Sequence, residues 1–454
     1  MLSFYRAARI CAPLALLLSA AHLSAQDAER MEQVVSASAN DGTFMGAALV
    51  AVGDRILLNK AYGSANLEWD VANTTSTKFR IGSVTKQFTA AAILLLQERG
   101  QLDIDHPIKT YLKNMPASYD AITVRHLLHH TSGIPNVTAF DEFANWKYLP
   151  TKRDDLIAKF TDRELEFTPG SKWNYSNSGY LLLTAIVEDV SGMGFQEFAR
   201  KELFAPLGMD DTAIDVTSDI VRYRASGYSP SASGVVNADY VDMGIPQGAG
   251  ALYSTTHDLL KWNRGLFGGK ILKPETVAMM SAPAVAAFPG SFYAMGLIDT
   301  QDKDGRLISH GGGIEGFNSF LAYDPDREIS VVVLTNLNGG AANQLGLSLV
   351  TLARGGTIEL ASERVAISTD GVDLAQYEGD YAVNPQFVLK FFVEDGQLMT
   401  QATGQSAFPV FAKGPDEFFL KVVDARLRFN RDADGRVTSV TLFQNGQEIP
   451  AQRQ

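Results

Sequence analysis

Apolar and polar positions alternate or cluster along most of the chain in ways that predict its elements. Gly46-Ala47-Ala48-Leu49-Val50-Ala51-Val52 and Ile56-Leu57-Leu58-Asn59-Lys60-Ala61-Tyr62, joined by Gly53-Asp54-Arg55, predict two strands and a turn. A helix is predicted from about Ser83 to Arg99, with Ala90, Ala91, Ile93, Leu94 and Leu95 as its apolar part and Gly100 as its stop. Helical patterns dominate residues 103–250, for example at Leu181–Val190 and Phe195–Leu207. Ser254-Thr255-Thr256 can cap a further helix running through Leu260 and Trp262. Strands return at Tyr293–Ile298, Phe317–Tyr323 and Ile329–Thr335. Strands on both sides of a helical block predict one sheet drawn from both flanks, with the block packed beside it.

The tail reads differently. From Tyr377 onward, short alternating runs are separated by turn signals at Asp395-Gly396, Gly414-Pro415-Asp416, Asp434-Gly435 and Asn445-Gly446. Phe387–Val393 and the strictly alternating Ala425-Arg426-Leu427-Arg428-Phe429 predict strands of a small antiparallel barrel. Asp432-Ala433-Asp434-Gly435 fits a hairpin turn better than a calcium loop, because the later ligands are missing. The expected division is a leader over 1–25, a main domain over 26–355, a linker over 356–372 and a barrel over 373–454.

The leader is a signal peptide by its layout. Arg6 and Arg9 precede an apolar run from Ile10 to Ala21, and Leu23-Ser24-Ala25 gives a small-residue exit. The run is short for a bilayer span, so a periplasmic or secreted protein is expected, with a retained anchor as the alternative. Removing 1–25 would take two arginines and no acids, moving the formal charge from −12 to −14. It would also remove Cys11, the single cysteine of the 454 residues, so a disulfide, a cysteine zinc site and an iron–sulfur cluster are excluded. The acidic balance argues against nucleic acid as a partner.

Three short constellations carry candidate chemistry. In Gly82-Ser83-Val84-Thr85-Lys86, serine and lysine at i and i+3 share a helix face. A buried lysine there would lose its charge and take the serine proton, and the helix start would offer the Ser83 N–H to an oxyanion. The competing reading is a capping serine with a surface lysine. In Asn174-Tyr175-Ser176-Asn177, Tyr175 could relay a proton and Asn177 could hold a substrate carbonyl, or the segment could simply cap the next helix. His310-Gly311-Gly312-Gly313-Ile314-Glu315-Gly316 matches G-x-G-x-x-G only formally, because a strand pattern follows rather than a helix. Glycines beside an edge strand would instead admit an extended substrate, with Gly313 giving a second oxyanion N–H. His310 could equally be structural. His126, His129 and His130 form a possible metal face by spacing, though a structural role is preferred, and no metal or other cofactor is expected.

Ser-x-x-Lys, then Tyr-x-Asn, then His-Gly-Gly in this order resembles the serine β-lactamase and penicillin-binding-protein superfamily. Phe79-Arg80-Ile81-Gly82-Ser83, His126–Gly133, Thr168-Pro169-Gly170-Ser171 and Gly250-Ala251-Leu252-Tyr253-Ser254 extend the likeness over residues 28–355, toward the branch with class C β-lactamases, D-alanyl-D-alanine carboxypeptidases, D-amino-acid peptidases and esterases. The tail resembles the lipocalin-like domain attached to some of these peptidases. The resemblance implies an α/β (α+β) fold in which an antiparallel sheet is flanked by helices, with a helical subdomain. It implies Ser83 as acylated nucleophile, Lys86 and Tyr175 as the proton-transfer pair, and Asn177, His310 and Gly312 around the substrate. Ser83 and Gly313 would supply the oxyanion hole. His310 stands where β-lactamases usually carry lysine, which favours a peptidase or amidase on small or D-amino-acid peptides over an esterase or β-lactamase. The Lys86/Tyr175 pair is expected to give a basic limb in the pH profile. A non-catalytic penicillin- or peptidoglycan-sensing module is the reading from another class. The expected partner is a small molecule or short peptide; oligomeric state is left open.

Overall fold

The computed structural model describes residues 28–231, 234–385, 387–421, 424–444 and 447–454. The leader, Cys11 and the Asn445-Gly446 turn lie outside these residues. The chain divides into two compact units that meet in sequence at Gly356 and Thr357.

The first unit is built on an eight-stranded antiparallel sheet. Its strands are β1 (Gly46–Val52), β2 (Arg55–Tyr62), β3 (Val285–Phe288), β4 (Ser291–Tyr293), β5 (Ile298–Asp302), β6 (Gly305–Ile314), β7 (Phe317–Asp324) and β8 (Ile329–Thr335). Their spatial order is β3-β4-β5-β6-β7-β8-β1-β2. The two flanks therefore close on one another through the β1–β8 pair, in register from Gly46 against Thr335 to Val52 against Ile329. β8 is buried at all seven positions, as a central strand covered on both faces must be. Helices α1 (Thr85–Glu98) and α2 (Asn177–Ser191) pack on one another, while α3 (Thr256–Phe267) and α4 (Ala341–Ala353) pack against β8.

Two expected elements differ. Tyr293–Ile298 is not one strand but the end of β4 and the start of β5, joined by a tight turn in which Ala294 N–H donates to Leu297 O at 2.8 Å. The glycine run at 310–314, expected beside an edge strand, is itself the end of the ten-residue β6. Pairing of β6 with β5 stops at Ser309, so residues 310–314 keep only β7 as a strand neighbour.

The described residues of the second unit form a nine-stranded antiparallel sheet whose end strands, Ala407–Pro409 and Phe411–Gly414, are consecutive in sequence, which gives a nearly closed barrel. Tyr377, Tyr381, Phe391, Phe418 and Phe429 pack edge to face within its core. Asp395 and Gly396 both take positive φ, as the two-residue hairpin turn requires. Residues 357–372, read from sequence as linker, group with this unit: Arg364 is buried against Asp424, and Ile367 N–H donates to Ala412 O. Mixed polarity concealed that anchoring. Among the described residues no helix is long and apolar enough to cross a membrane.

Candidate active site

α1 is buried along almost its whole length, including four polar side chains in its first turns. Each of the four finds a partner. Thr85 Oγ1 accepts from Leu252 N–H, Gln87 Oε1 accepts from the Trp262 indole at 3.0 Å, and Thr89 donates to Gly248 O at 2.7 Å. The fourth is Lys86. Its Nζ lies 3.0 Å from Ser83 Oγ, 2.8 Å from Asn177 Oδ1 and 2.7 Å from Ala249 O. Burial holds this amine well below its usual value of 10.5. A neutral amine has two N–H groups and one lone pair. Asn177 Oδ1 and Ala249 O can only accept, so they take both N–H groups and the lone pair is left facing the Ser83 hydroxyl.

Ser83 sits in a single 3-10 turn, Gly82–Val84, that runs directly into α1. Tyr175 Oη donates to its Oγ at 2.8 Å. Loss of solvent around the phenol raises Tyr175 well above 10, against a smaller opposite pull from the Ser83 hydrogen bond, so it stays a donor. Asn177 is oriented from both ends: its Nδ2 donates to Thr138 Oγ1 at 2.9 Å, and its backbone N–H donates to Asn136 Oδ1 at 3.0 Å.

The structure thus brings Ser83, Lys86, Tyr175 and Asn177 into one hydrogen-bonded group. Together with Gly313 and Ala249, Ser83 and Asn177 line a cleft of about 220 Å³. His310 and Gly312 lie on the face of β6 that packs toward the Ser83 turn and Lys86 and, like Lys86 and Tyr175, are not part of the cleft's lining. His310 is buried, with Nε2 3.2 Å from Tyr293 Oη; burial and the nearby Lys86 lower it to about 4, so it is neutral at pH 7 and supplies no partial charge. Gly312 acts by its size: a Cβ there would fall 2.0 Å from Ile81 O and 2.4 Å from Ser319 Oγ, so only glycine lets β6 press this closely on the Ser83 turn. The pH expectation also changes. A lowered Lys86 gives an ascending acidic limb, and a raised Tyr175 moves any descending limb beyond the ordinary range.

Sequence reasoning missed the supports. His130, at φ 57°, accepts from Ser176 N–H through Nδ1, takes Asn174 N–H on its carbonyl, and packs tilted against the Tyr175 ring at 4.3 Å, fixing the loop that presents the phenol. His126 instead closes a capping box with Thr123. The i, i+3, i+4 histidine spacing gave no sign of this division of labour, and Asn136, Thr138 and Ala249 belong to no motif.

An antiparallel sheet with helices around it, and a Ser-x-x-Lys pair at the start of a buried helix, is the architecture of the serine β-lactamase and penicillin-binding-protein superfamily. Residues 30–353 match the family described as Beta-lactamase, and the chain belongs to it. It is a serine hydrolase. Residues 363–453 match a Domain of unknown function (DUF3471). Penicillin-binding protein 4* of Bacillus subtilis (strain 168) is 26% identical over 434 residues, 90% of this chain and 95% of the relative. A penicillin binding protein from Bacillus halodurans is similar in structure at TM-score 0.65 and 28% identity, over 70% of this chain and 99% of its own. A D-stereospecific amidohydrolase from Streptomyces sp. gives 0.63 and 27%, over 73% and 99%.

Proposed function

We propose that the chain hydrolyses small amides and peptides through an acyl-enzyme on Ser83. The observation that carries this reading is the lone pair of a desolvated Lys86, aimed at a serine hydroxyl that also accepts from Tyr175. Lys86 takes the Ser83 proton as Oγ attacks the carbonyl carbon. The N–H groups of Ser83 and Gly313 hold the oxyanion. Tyr175, kept protonated, gives its proton to the leaving nitrogen and recovers one from Lys86. Water then repeats the sequence on the ester and frees Ser83. Asn177 and the Ala249 carbonyl keep the amine oriented throughout.

An amidase is favoured over a β-lactamase because His310 is buried and held neutral, leaving no cation in the position where such enzymes usually hold a drug carboxylate. The likeness to the D-stereospecific amidohydrolase supports the same choice. A panel of a cephalosporin, a D-alanyl peptide, an amino-acid amide and a nitrophenyl ester tests it. The amide and ester are expected to turn over faster than the cephalosporin, and Ser83→Ala is expected to turn over none. A lasting adduct without turnover would point to the sensor reading instead.

The reading includes export, supported by the leader layout of residues 1–25. Protein recovered from its native compartment is expected to begin just after Ala25; an intact Met1 start would contradict this.

A further inference from the structure

We propose that Glu315 determines specificity by seating a protonated amine of the substrate, so that the preferred substrates are small amides or peptides with a free amino group and an apolar side chain. This rests on the Ser83 acyl-enzyme reading and names its substrate class. The walls of the cleft are apolar over Val137, Phe143, Leu181, Val241, Ile245 and Ile314. Among the described residues that line it, Glu315 carries the only charge. Lys86 lies beneath the wall, desolvated and pushed toward neutrality.

Glu315 is set on a rigid support. It occupies the two-residue turn between β6 and β7, closed by the Ile314–Phe317 pair and two residues beyond Gly313. The next residue, Gly316, has φ 79°, and a Cβ on it would fall 2.4 Å from Gly227 Cα, so the turn is wedged in place. Asn338 Oδ1 accepts the Gly316 N–H. Glu315 Oε1 accepts from Lys147 Nζ at 3.1 Å, and the same ammonium reaches Asp239 at 3.3 Å. One ammonium is shared between the two carboxylates, and Glu315 Oε2 has no hydrogen bond among the described residues. A substrate ammonium fills that acceptor. A substrate carboxylate meets repulsion and finds no cation on the wall, which is costly in a mostly apolar cleft.

The test compares D- and L-leucine p-nitroanilide with their N-acetyl derivatives and with an N-blocked peptide ending in D-alanyl-D-alanine. The wild-type enzyme is expected to favour a free-amine compound in kcat/KM by about tenfold to a hundredfold over its N-acetyl form, mostly through KM. Glu315→Gln, which keeps an oxygen for Lys147, is expected to lower that ratio by a similar factor. The proposal is overturned if an N-acetyl or carboxylate-ended compound is preferred, or if the ratio is unchanged in Glu315→Gln. It is equally overturned if none is turned over by an enzyme whose Ser83 still reacts with a fluorophosphonate. Loss of that Ser83 labelling is the separate signature by which the acyl-enzyme reading would fail.

Discussion

At the scale of single residues, a lysine's protonation state decides the chemistry, and geometry decides the protonation state. Lys86 is wholly buried, with two obligate acceptors taking its N–H groups, so its neutral form is the one the site accommodates. Removing the phenol while keeping the ring, by Tyr175→Phe, is expected to lower kcat by about 10²–10⁴-fold, the usual worth of a positioned proton donor. Ester hydrolysis is expected to rise with pH as Lys86 deprotonates and then to level off, because Tyr175 stays protonated well past pH 10. A steady-state profile checks the sign: a descending limb near pH 8 would place the essential proton elsewhere. The Ser-x-x-Lys and Tyr-x-Asn pairs were legible because residue type and spacing alone imply their contact. Asn136, Thr138 and His130 were not, since their contributions come from folded loops that put an amide, a hydroxyl and an imidazole beside the motif residues.

At the scale of elements, the hydrophobic pattern located β1, β2, α1, α2, α3, β7 and β8 well. These are long, strongly patterned segments whose periodicity is set by burial. It failed where glycine replaces side-chain pattern. The 305–314 stretch gives little alternation, yet it is a ten-residue strand, held by β7 along one edge and packed on the Ser83 turn. That packing is testable. Gly312→Ala drives a methyl into the Ile81 carbonyl and is expected to cost about 1–3 kcal/mol, with slower acylation as β6 is pushed off the Ser83 turn. Thermal melts and fluorophosphonate labelling rates check both effects; a variant with wild-type values in both would mean the close approach is dispensable.

At the scale of the whole molecule, among the described residues the main core of the first unit is built wholly from that unit, and the barrel core wholly from the second. Phe429 touches Tyr377, Tyr381, Phe391 and Phe418, so Phe429→Ala is expected to cost the second unit about 3–5 kcal/mol. Calorimetry is expected to show one transition moving down while the other keeps its midpoint. A common shift of both would show that the units unfold as one. The hairpins of the tail were readable from turn residues and alternation, whereas the start of the unit was not, because Arg364 and Ile367 are anchored by tertiary contacts rather than by local pattern.

The most direct test is the rate of fluorophosphonate labelling, with the modified residue located by peptide mapping, in the wild-type protein and in Lys86→Ala. A single adduct on Ser83, forming faster as pH rises through a value well below 10.5 and slowed at least about a hundredfold in the variant, is the predicted result. An adduct on another residue, or a variant labelled at the wild-type rate, would contradict it.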